Sequence, residues 1–228
     1  MHNCLLCQKP LNQAITIEWL LSLAPQLQAL TCADCKRQFH SILNLEQTCP
    51  LCNRVGTDDQ VCGDCKDWEA TTPHGFINQS LYEYNDAMKE FMHRYKFVGD
   101  YQLRKVFATE FSQVADATKR VVVPIPLTND TLARRTFNQT TGLLNGPFVD
   151  CLATIEQIKT KDQSAQNRLQ RKSISQPFKM KPDQKRLIQD QNVLVVDDVY
   201  TTGTTIRFAA SLLMQNGAKT VNGLTLAR

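Results

Sequence analysis

Val193-Leu194-Val195-Val196-Asp197-Asp198-Val199-Tyr200-Thr201-Thr202-Gly203-Thr204-Thr205 is the stretch whose reading decides the fold. Four consecutive apolar residues make a buried strand. Two carboxylates then project from its end, where only a polar ligand or a metal justifies holding two anions together. The residues that follow are small, hydroxylated and centred on Gly203, and they run directly into a helix. Free backbone N–H groups at a helix start, with several hydroxyls around them, cradle a phosphate dianion. Carboxylates a few residues upstream can accept hydrogen bonds from sugar hydroxyls. Strand, acid pair and Thr/Gly loop together describe a site for a ribose 5-phosphate.

Other chemistry also places acids at a strand end. A Walker B strand does so, but no Gly-x-x-x-x-Gly-Lys-Ser/Thr occurs among the nine glycines. A receiver domain does so too, but does not follow the acids with Thr-Thr-Gly-Thr-Thr. Packing alone does not put two carboxylates there.

Working outward, the pattern alternates strands with helices. Ser80–Tyr84 alternates like a strand, and Asn85 can cap a helix running through Lys96. Gly99-Asp100 ends that helix and starts another, to about Ala117. Val121–Val123 is a second buried strand, leading into Pro124-Ile125-Pro126. A helical stretch is expected from about Thr131 to Leu144. After the central strand comes a helix from about Thr204 to Gln215, a stop at Gly217 and a last strand near Val221–Leu226. Such alternation predicts an α/β fold with a parallel sheet whose ligand sits beyond the carboxyl ends of the strands.

Ahead of this lies a segment of different chemistry. Residues 1–70 carry five Lys/Arg against eight Asp/Glu, a net charge of −3, and residues 71–228 carry +7. Eight of the nine cysteines fall in the first part, as Cys4/Cys7, Cys32/Cys35, Cys49/Cys52 and Cys62/Cys65. A two-residue gap turns both thiolates of a pair toward one tetrahedral ion, and two pairs complete a zinc site. The simplest partition puts Cys4, Cys7, Cys32 and Cys35 on one zinc and Cys49, Cys52, Cys62 and Cys65 on another, so one or two zinc ions are expected. Disulfides are the bland alternative, but nothing points to an oxidising compartment. Redox catalysis needs one Cys-x-x-Cys, not four. Four sulfur ligands leave no open position for water, so the metal is structural. Between the first two pairs, Ile15, Trp19, Leu20, Leu23 and Leu27 recur at near-helical spacing and read as packing surface.

Composition bounds the rest. At 228 residues, 42% hydrophobic and 21% charged, the chain is an ordinary globular one. No window reaches 18 uninterrupted apolar residues; the richest, Trp19–Leu30, holds Ser22, Pro25, Gln26 and Gln28. No membrane insertion and a cytoplasmic location are expected, because the first residues lack a basic region followed by an apolar core. The division reads as a zinc-binding module over 1–70 and an α/β domain over 76–228.

The Val193–Thr205 segment resembles the PRPP-binding motif of type I phosphoribosyltransferases. Val123-Pro124-Ile125-Pro126, Arg135-Thr136-Phe137-Asn138-Gln139 and Lys96-Phe97-Val98-Gly99-Asp100, with the cysteine-rich start, are similar to the ComF family of ComFC-type competence proteins. The resemblance covers essentially the whole chain. It implies that Thr201, Thr202, Gly203, Thr204 and Thr205 hold the 5-phosphate. Asp197 and Asp198 would bind the ribose hydroxyls, directly or through water on Mg²⁺. Lys96, Arg134 and Arg135 are candidates to neutralise pyrophosphate, or else surface cations. Two departures stand out: Thr136 replaces a usual glycine, and the stretch after Arg168 lacks the usual asparagine. Lys159 to Arg186 holds nine Lys/Arg against Asp162 and Asp183, and is expected to form a mobile loop suited to a polyanion. His93 and Cys151 read as ordinary packing or surface residues.

Two functions follow from the resemblance. One is a DNA-uptake protein of natural transformation that handles incoming single-stranded DNA beside a helicase-like ATPase, its PRPP site a sensor or scaffold. The other is a PRPP-dependent transferase with an unidentified acceptor. Substitution of both acids, Asp197→Asn with Asp198→Asn, is expected to leave stability almost unchanged.

Overall fold

The computed structural model describes residues 2–11, 29–71, 75–155 and 176–228. The helical spacing at Ile15–Leu27 and most of the basic segment, including Lys159, Lys161, Arg168 and Arg171, fall outside them.

Two short strands, β1 (His2–Asn3) and β2 (Pro10–Leu11), pair antiparallel around Cys4 and Cys7. Two helices follow, α1 (Ala33–Lys36) and α2 (Gly63–Thr71). Then comes the parallel sheet. Its strands are β3 (Asn78–Tyr82), β4 (Val121–Pro124), β7 (Asn192–Val199) and β8 (Thr220–Ala227), in the order β3-β8-β7-β4, every pair parallel. Between β3 and β4 run α3 (Asp86–His93) and α4 (Ala108–Ala117). After β4 come α5 (Asn129–Arg135) and α6 (Gln139–Gly142), then an antiparallel pair, β5 (Leu152–Thr154) with β6 (Phe178–Met180). Helix α7 (Thr204–Gln215) connects β7 to β8.

The alternation of β7 organises the core. Val193 and Val195 belong to one apolar cluster, with Ile206, Ala209 and Leu213 of α7. Leu194 and Val196 belong to the other, with Met88, Phe91 and Met92 of α3, Leu103 and Phe111. A strand covered on both faces reads as a continuous apolar run, which is why these four residues announced it. Cys49, Cys52, Cys62 and Cys65 are buried members of the first cluster, so the second cysteine group is built into the core of the sheet domain.

The structure shifts four expected boundaries. Strand β7 does not stop at Val196; Asp197 pairs with Thr225 and Val199 with Ala227, so the acid pair lies inside the strand. The helix capped by Asn85, whose side chain accepts from the Met88 N–H, gives way after His93 to one wider π-type turn over Arg94–Val98. The stretch after Gly99 begins as a 3₁₀ turn, Tyr101–Val106, before α4. The helix expected over 131–144 is two, because Thr136 adopts a left-handed conformation (φ 64°) and ends α5 there.

A β-branched residue in that region is strained by about 1–2 kcal/mol, against a penalty of roughly 0.5–1 kcal/mol for glycine's extra chain entropy. Thr136→Gly should therefore raise stability by about 0.5–1 kcal/mol, read as a higher midpoint in urea with an unchanged slope. A lower midpoint would mean that the Thr136 hydroxyl, which donates to the Arg135 carbonyl at 2.6 Å, outweighs the strain.

Candidate functional site

Alternation along β7 sends its two carboxylates to opposite sides. Asp197 Oδ1 accepts from the Thr140 hydroxyl at 3.2 Å and from the Asp198 N–H at 2.8 Å. Asp198 Oδ2 lies 2.7 Å from Lys96 Nζ, in a largely buried ion pair. Both acids are buried, 9% and 4% exposed. Lys96 arrives from the π-type turn, whose first residue, Arg94, donates through Nη1 to the Leu6 carbonyl at 2.8 Å beside the first cysteine group.

Past Val199 the chain turns. The Tyr200 N–H donates to the Ala227 carbonyl at 2.9 Å, and the buried ring fills the space over Gly203. Gly203 has φ 79°, and a Cβ there would run into the Tyr200 phenol oxygen, so only glycine fits. The Thr202 and Thr204 hydroxyls meet at 2.8 Å. No side chain caps the N-terminus of α7, whereas Asn85, Thr128 and Asn138 cap theirs. Its first-turn amides and a row of exposed or half-buried hydroxyls are left for an anion. Acid pair, loop and Lys96 thus stand together at the carboxyl end of β7.

The two predicted arginines part company. Arg135 donates through Nη1 to Gln139 Oε1 at 2.8 Å and sits 5.3 Å from the Phe97 ring centroid. It shares with Lys96, Phe97 and His93 the wall of a groove of about 660 Å³. Arg134 is exposed and folds back on α5, its Nε donating to the Asp130 carbonyl at 3.3 Å; it is not brought to the acids. Sequence reasoning missed Phe97, which is 70% exposed with the His93 ring 5.7 Å away. Its signal was present: an aromatic residue directly after the site lysine, beside a glycine turn. Also missed was a cleft of about 710 Å³ between β4 and the β5–β6 pair, lined by Pro126, Asn138, Thr141, Phe148 and Lys181. Cys151 is buried, and burial pushes its thiol up to about 11, as an inert core residue requires.

The eight remaining cysteines form two groups, Cys4/Cys7/Cys32/Cys35 and Cys49/Cys52/Cys62/Cys65, with the sulfurs of each within 4.8 Å of one another. The donor set fits zinc: four sulfurs, no oxygen, and backbone N–H groups aimed at sulfur, from Cys32 to Cys4 at 3.3 Å and from Cys62 to Cys49 at 3.4 Å. Burial alone would raise Cys4, but N–H donors from Cys7, Cys32 and Leu6 outweigh it and hold the thiol down to about 6. All nine cysteines are free thiols, not disulfides.

Burial, with the Asp198 charge beside it, pushes the Asp197 carboxyl up to about 7. Taken singly, the two acids are therefore not equivalent for stability. The folded chain holds this proton more tightly than the unfolded one. Asp197 therefore contributes stability that is complete below about pH 4 and is lost as pH rises through about 7. In ligand-free, Mg²⁺-free buffer, Asp197→Asn should gain on the wild type between pH 5 and pH 8, by about 1 kcal/mol or more at the upper end. Urea unfolding at both pH values measures it; a difference independent of pH would contradict the assignment. Asp198→Asn should act in the opposite sense, because it leaves Lys96 buried without its counter-ion.

The phosphoribosyl transferase domain family matches residues 102–228. Competence protein ComFC of Bacillus subtilis (strain 168) is 33% identical over 236 residues, covering 99% of this chain and 94% of the relative. The DNA utilization protein YhgH of Escherichia coli (strain K12) is 26% identical over 222 residues, covering 86% of this chain and 89% of the relative. Competence protein ComFC of Streptococcus pneumoniae (strain ATCC BAA-255 / R6) is 36% identical over 227 residues, covering 99% of this chain and 100% of the relative. With likeness running from end to end, the chain belongs to the ComFC-type competence proteins of the ComF family and carries a phosphoribosyl transferase domain.

Proposed function

We propose that this protein serves DNA uptake in natural transformation, handling incoming single-stranded DNA in the cytoplasm beside a helicase-like ATPase. Its sheet domain binds PRPP or a related phosphoribosyl ligand with Mg²⁺. The observation that carries the ligand reading is the joining of a buried acid pair, an uncapped Thr/Gly loop and Lys96 at one strand end. In this reading Thr201–Thr205 hold the 5-phosphate and the acids hold the ribose hydroxyls. Lys96 and Arg135 face the pyrophosphate, whose charge Mg²⁺ would share. The likeness to competence proteins of the ComFC type supports competence, and the likeness to the DNA utilization protein YhgH supports a role with DNA. Two groups of four cysteines that could each hold zinc, with no disulfide among them, suit a reducing compartment. Among the described residues no helix is long and apolar enough to cross a membrane.

For the nucleic acid, the supporting feature is Phe97, exposed between His93 and Arg135 and next to Lys96. An aromatic face flanked by cations stacks a base and pairs its phosphate, without regard to sequence. A second reading, an active transferase, is favoured by the cleft between β4 and β5–β6. It adjoins Thr141, next to the Thr140 that holds Asp197, and so lies where an acceptor would approach the ribose. There the acceptor would bond to the ribosyl carbon as pyrophosphate leaves.

Calorimetry with Mg·PRPP tests the ligand site. Replacing both acids, Asp197→Asn with Asp198→Asn, should weaken binding by about thirtyfold or more, and Thr204→Val by about tenfold. If the wild type binds and neither variant weakens it, the site is misassigned. Pyrophosphate release with candidate acceptors in the same samples separates the transferase from the scaffold.

Binding of oligo(dT) tests the other half. Affinity should fall steeply with salt, and Phe97→Ala should lower it by about fivefold or more without changing the salt slope, because stacking carries no charge. An unchanged affinity would remove Phe97 from the nucleic-acid surface.

A further inference from the structure

The second cysteine group is fastened to the loop after β7 at three points, all through α2, the helix that carries Cys65. Trp68 Nε1 donates to the Thr202 carbonyl at 2.9 Å. Arg207, one turn into α7, is 5% exposed. Its Nη2 donates to Cys65 Sγ at 3.4 Å and its Nε to the Tyr200 phenol oxygen at 3.0 Å, while Nη1 lies 3.9 Å from Glu69 Oε1. Arg228 Nη1 donates to the Thr201 carbonyl at 2.7 Å, and its Nη2 lies 3.9 Å from Asp64 Oδ2. Ring contacts stiffen the junction: Trp68 stands edge-on to Phe208 at 6.0 Å, with the Arg207 guanidinium 5.6 Å from its centroid.

These contacts fix more than position. In a trans peptide the C=O and the following N–H point in opposite directions. Fixing the carbonyls of Thr201 and Thr202 toward Arg228 and Trp68 therefore turns the amides of Thr202 and Gly203 away from α2. Those are amides that a phosphate at the start of α7 would meet. The buried charge of Arg207 needs a counter-charge. A zinc ion held by four thiolates is an anion, and Cys65 would be one of its ligands.

We infer that α2 is a brace for the phosphate loop, and that Trp68 and Arg207 are positioning residues through which metal in the second cysteine group sets the loop's order and its hold on a phosphate. The effect on ligand affinity rests on the phosphoribosyl reading above; the effect on loop order concerns the chain alone. Emptying the group removes the anion that faces Arg207, and the loop loses part of its support while remaining covalently intact.

Trp68→Phe in the full chain is the leading test. It keeps a ring for Arg207 and Phe208 but removes the N–H. Zinc content should stay at the wild-type value. Amide exchange of the segment Tyr200–Thr205 should accelerate by about fivefold, and the Kd for Mg·PRPP should rise by a similar factor. Chelation of zinc from the wild type should accelerate exchange of the same segment, and added zinc should reverse it. In Trp68→Phe, chelation should change that exchange less, because the link is already cut. Wild-type exchange rates in Trp68→Phe would overturn the brace. If the wild type fails to bind PRPP, the phosphoribosyl reading falls and the exchange rates alone judge the brace. Should chelation unfold the chain, zinc-loaded Arg207→Met decides the metal link: faster exchange at 200–205 supports it, and unchanged exchange overturns it.

Discussion

Two carboxylates held side by side inside a strand that is otherwise apolar set the terms for the rest of the molecule. Each needs a reason to be there, and alternation along β7 gives the two different ones. Asp197 is enclosed with Thr140 and the Asp198 amide as donors, and burial raises its pKa toward neutrality. Asp198 faces the other side and is balanced by Lys96. A buried pair of like charges is tolerated only where surrounding groups are positioned for it. The split of the 131–144 helix places Thr140 under one acid, and the π-type turn after α3 delivers Lys96 to the other. Both irregularities serve the pair, which is where local rules are expected to yield.

The cysteine groups supply what a four-stranded sheet of this size lacks, namely rigid support at the carboxyl ends of its strands. Each group supports a different arm of the site. Beside the first, the Leu5 and Leu6 carbonyls accept from Arg94, which opens the turn carrying Lys96. The second is packed into the apolar cluster under α7 and is tied to the loop after β7. A structural metal site acts at a distance through such hydrogen bonds and buried charges, not through its own chemistry. The cysteine-rich part and the sheet also share main-chain contacts, with the Ile42 N–H donating to the Leu81 carbonyl and the Asn78 N–H to the Leu51 carbonyl, both at 2.9 Å.

Strongly patterned features were legible in the sequence. The four apolar residues before Asp197, the Thr204–Gln215 helix and the pairing of cysteines four by four all stand where spacing put them. These depend on local periodicity or on ligand geometry, which a sequence carries explicitly. What could not be read depends on tertiary contacts. The strand runs on through the acids because β8 lies alongside with Thr225 and Ala227 as partners, and nothing in Asp197-Asp198 declares that. Arg134 and Arg135 are adjacent and chemically alike, yet only Arg135 reaches the groove, because successive residues on a helix point about 100° apart around its axis. Trp68 lay in an acidic stretch with no motif of its own. Its role appears only when residue 202 is folded against it.

The Lys96–Asp198 pair also bears on how a ligand could be held. In the free protein the acid already has a strong partner at 2.7 Å. A sugar hydroxyl that simply displaced Lys96 would exchange a charge-assisted contact for a weaker one and leave a buried cation behind, an unfavourable trade. The trade becomes favourable only if the ligand brings its own anion within reach of Lys96 when its hydroxyls reach Asp198. In the proposed reading, a sugar bearing a phosphate group at each end would meet that condition, one end lying at the uncapped start of α7 while the other faces Lys96 and Arg135. A ribose phosphate with no second anion does not. If the proposed ligand binds there, the ion pair would act as a selectivity device, since Lys96 would leave the acid only when a second anion arrives to receive it.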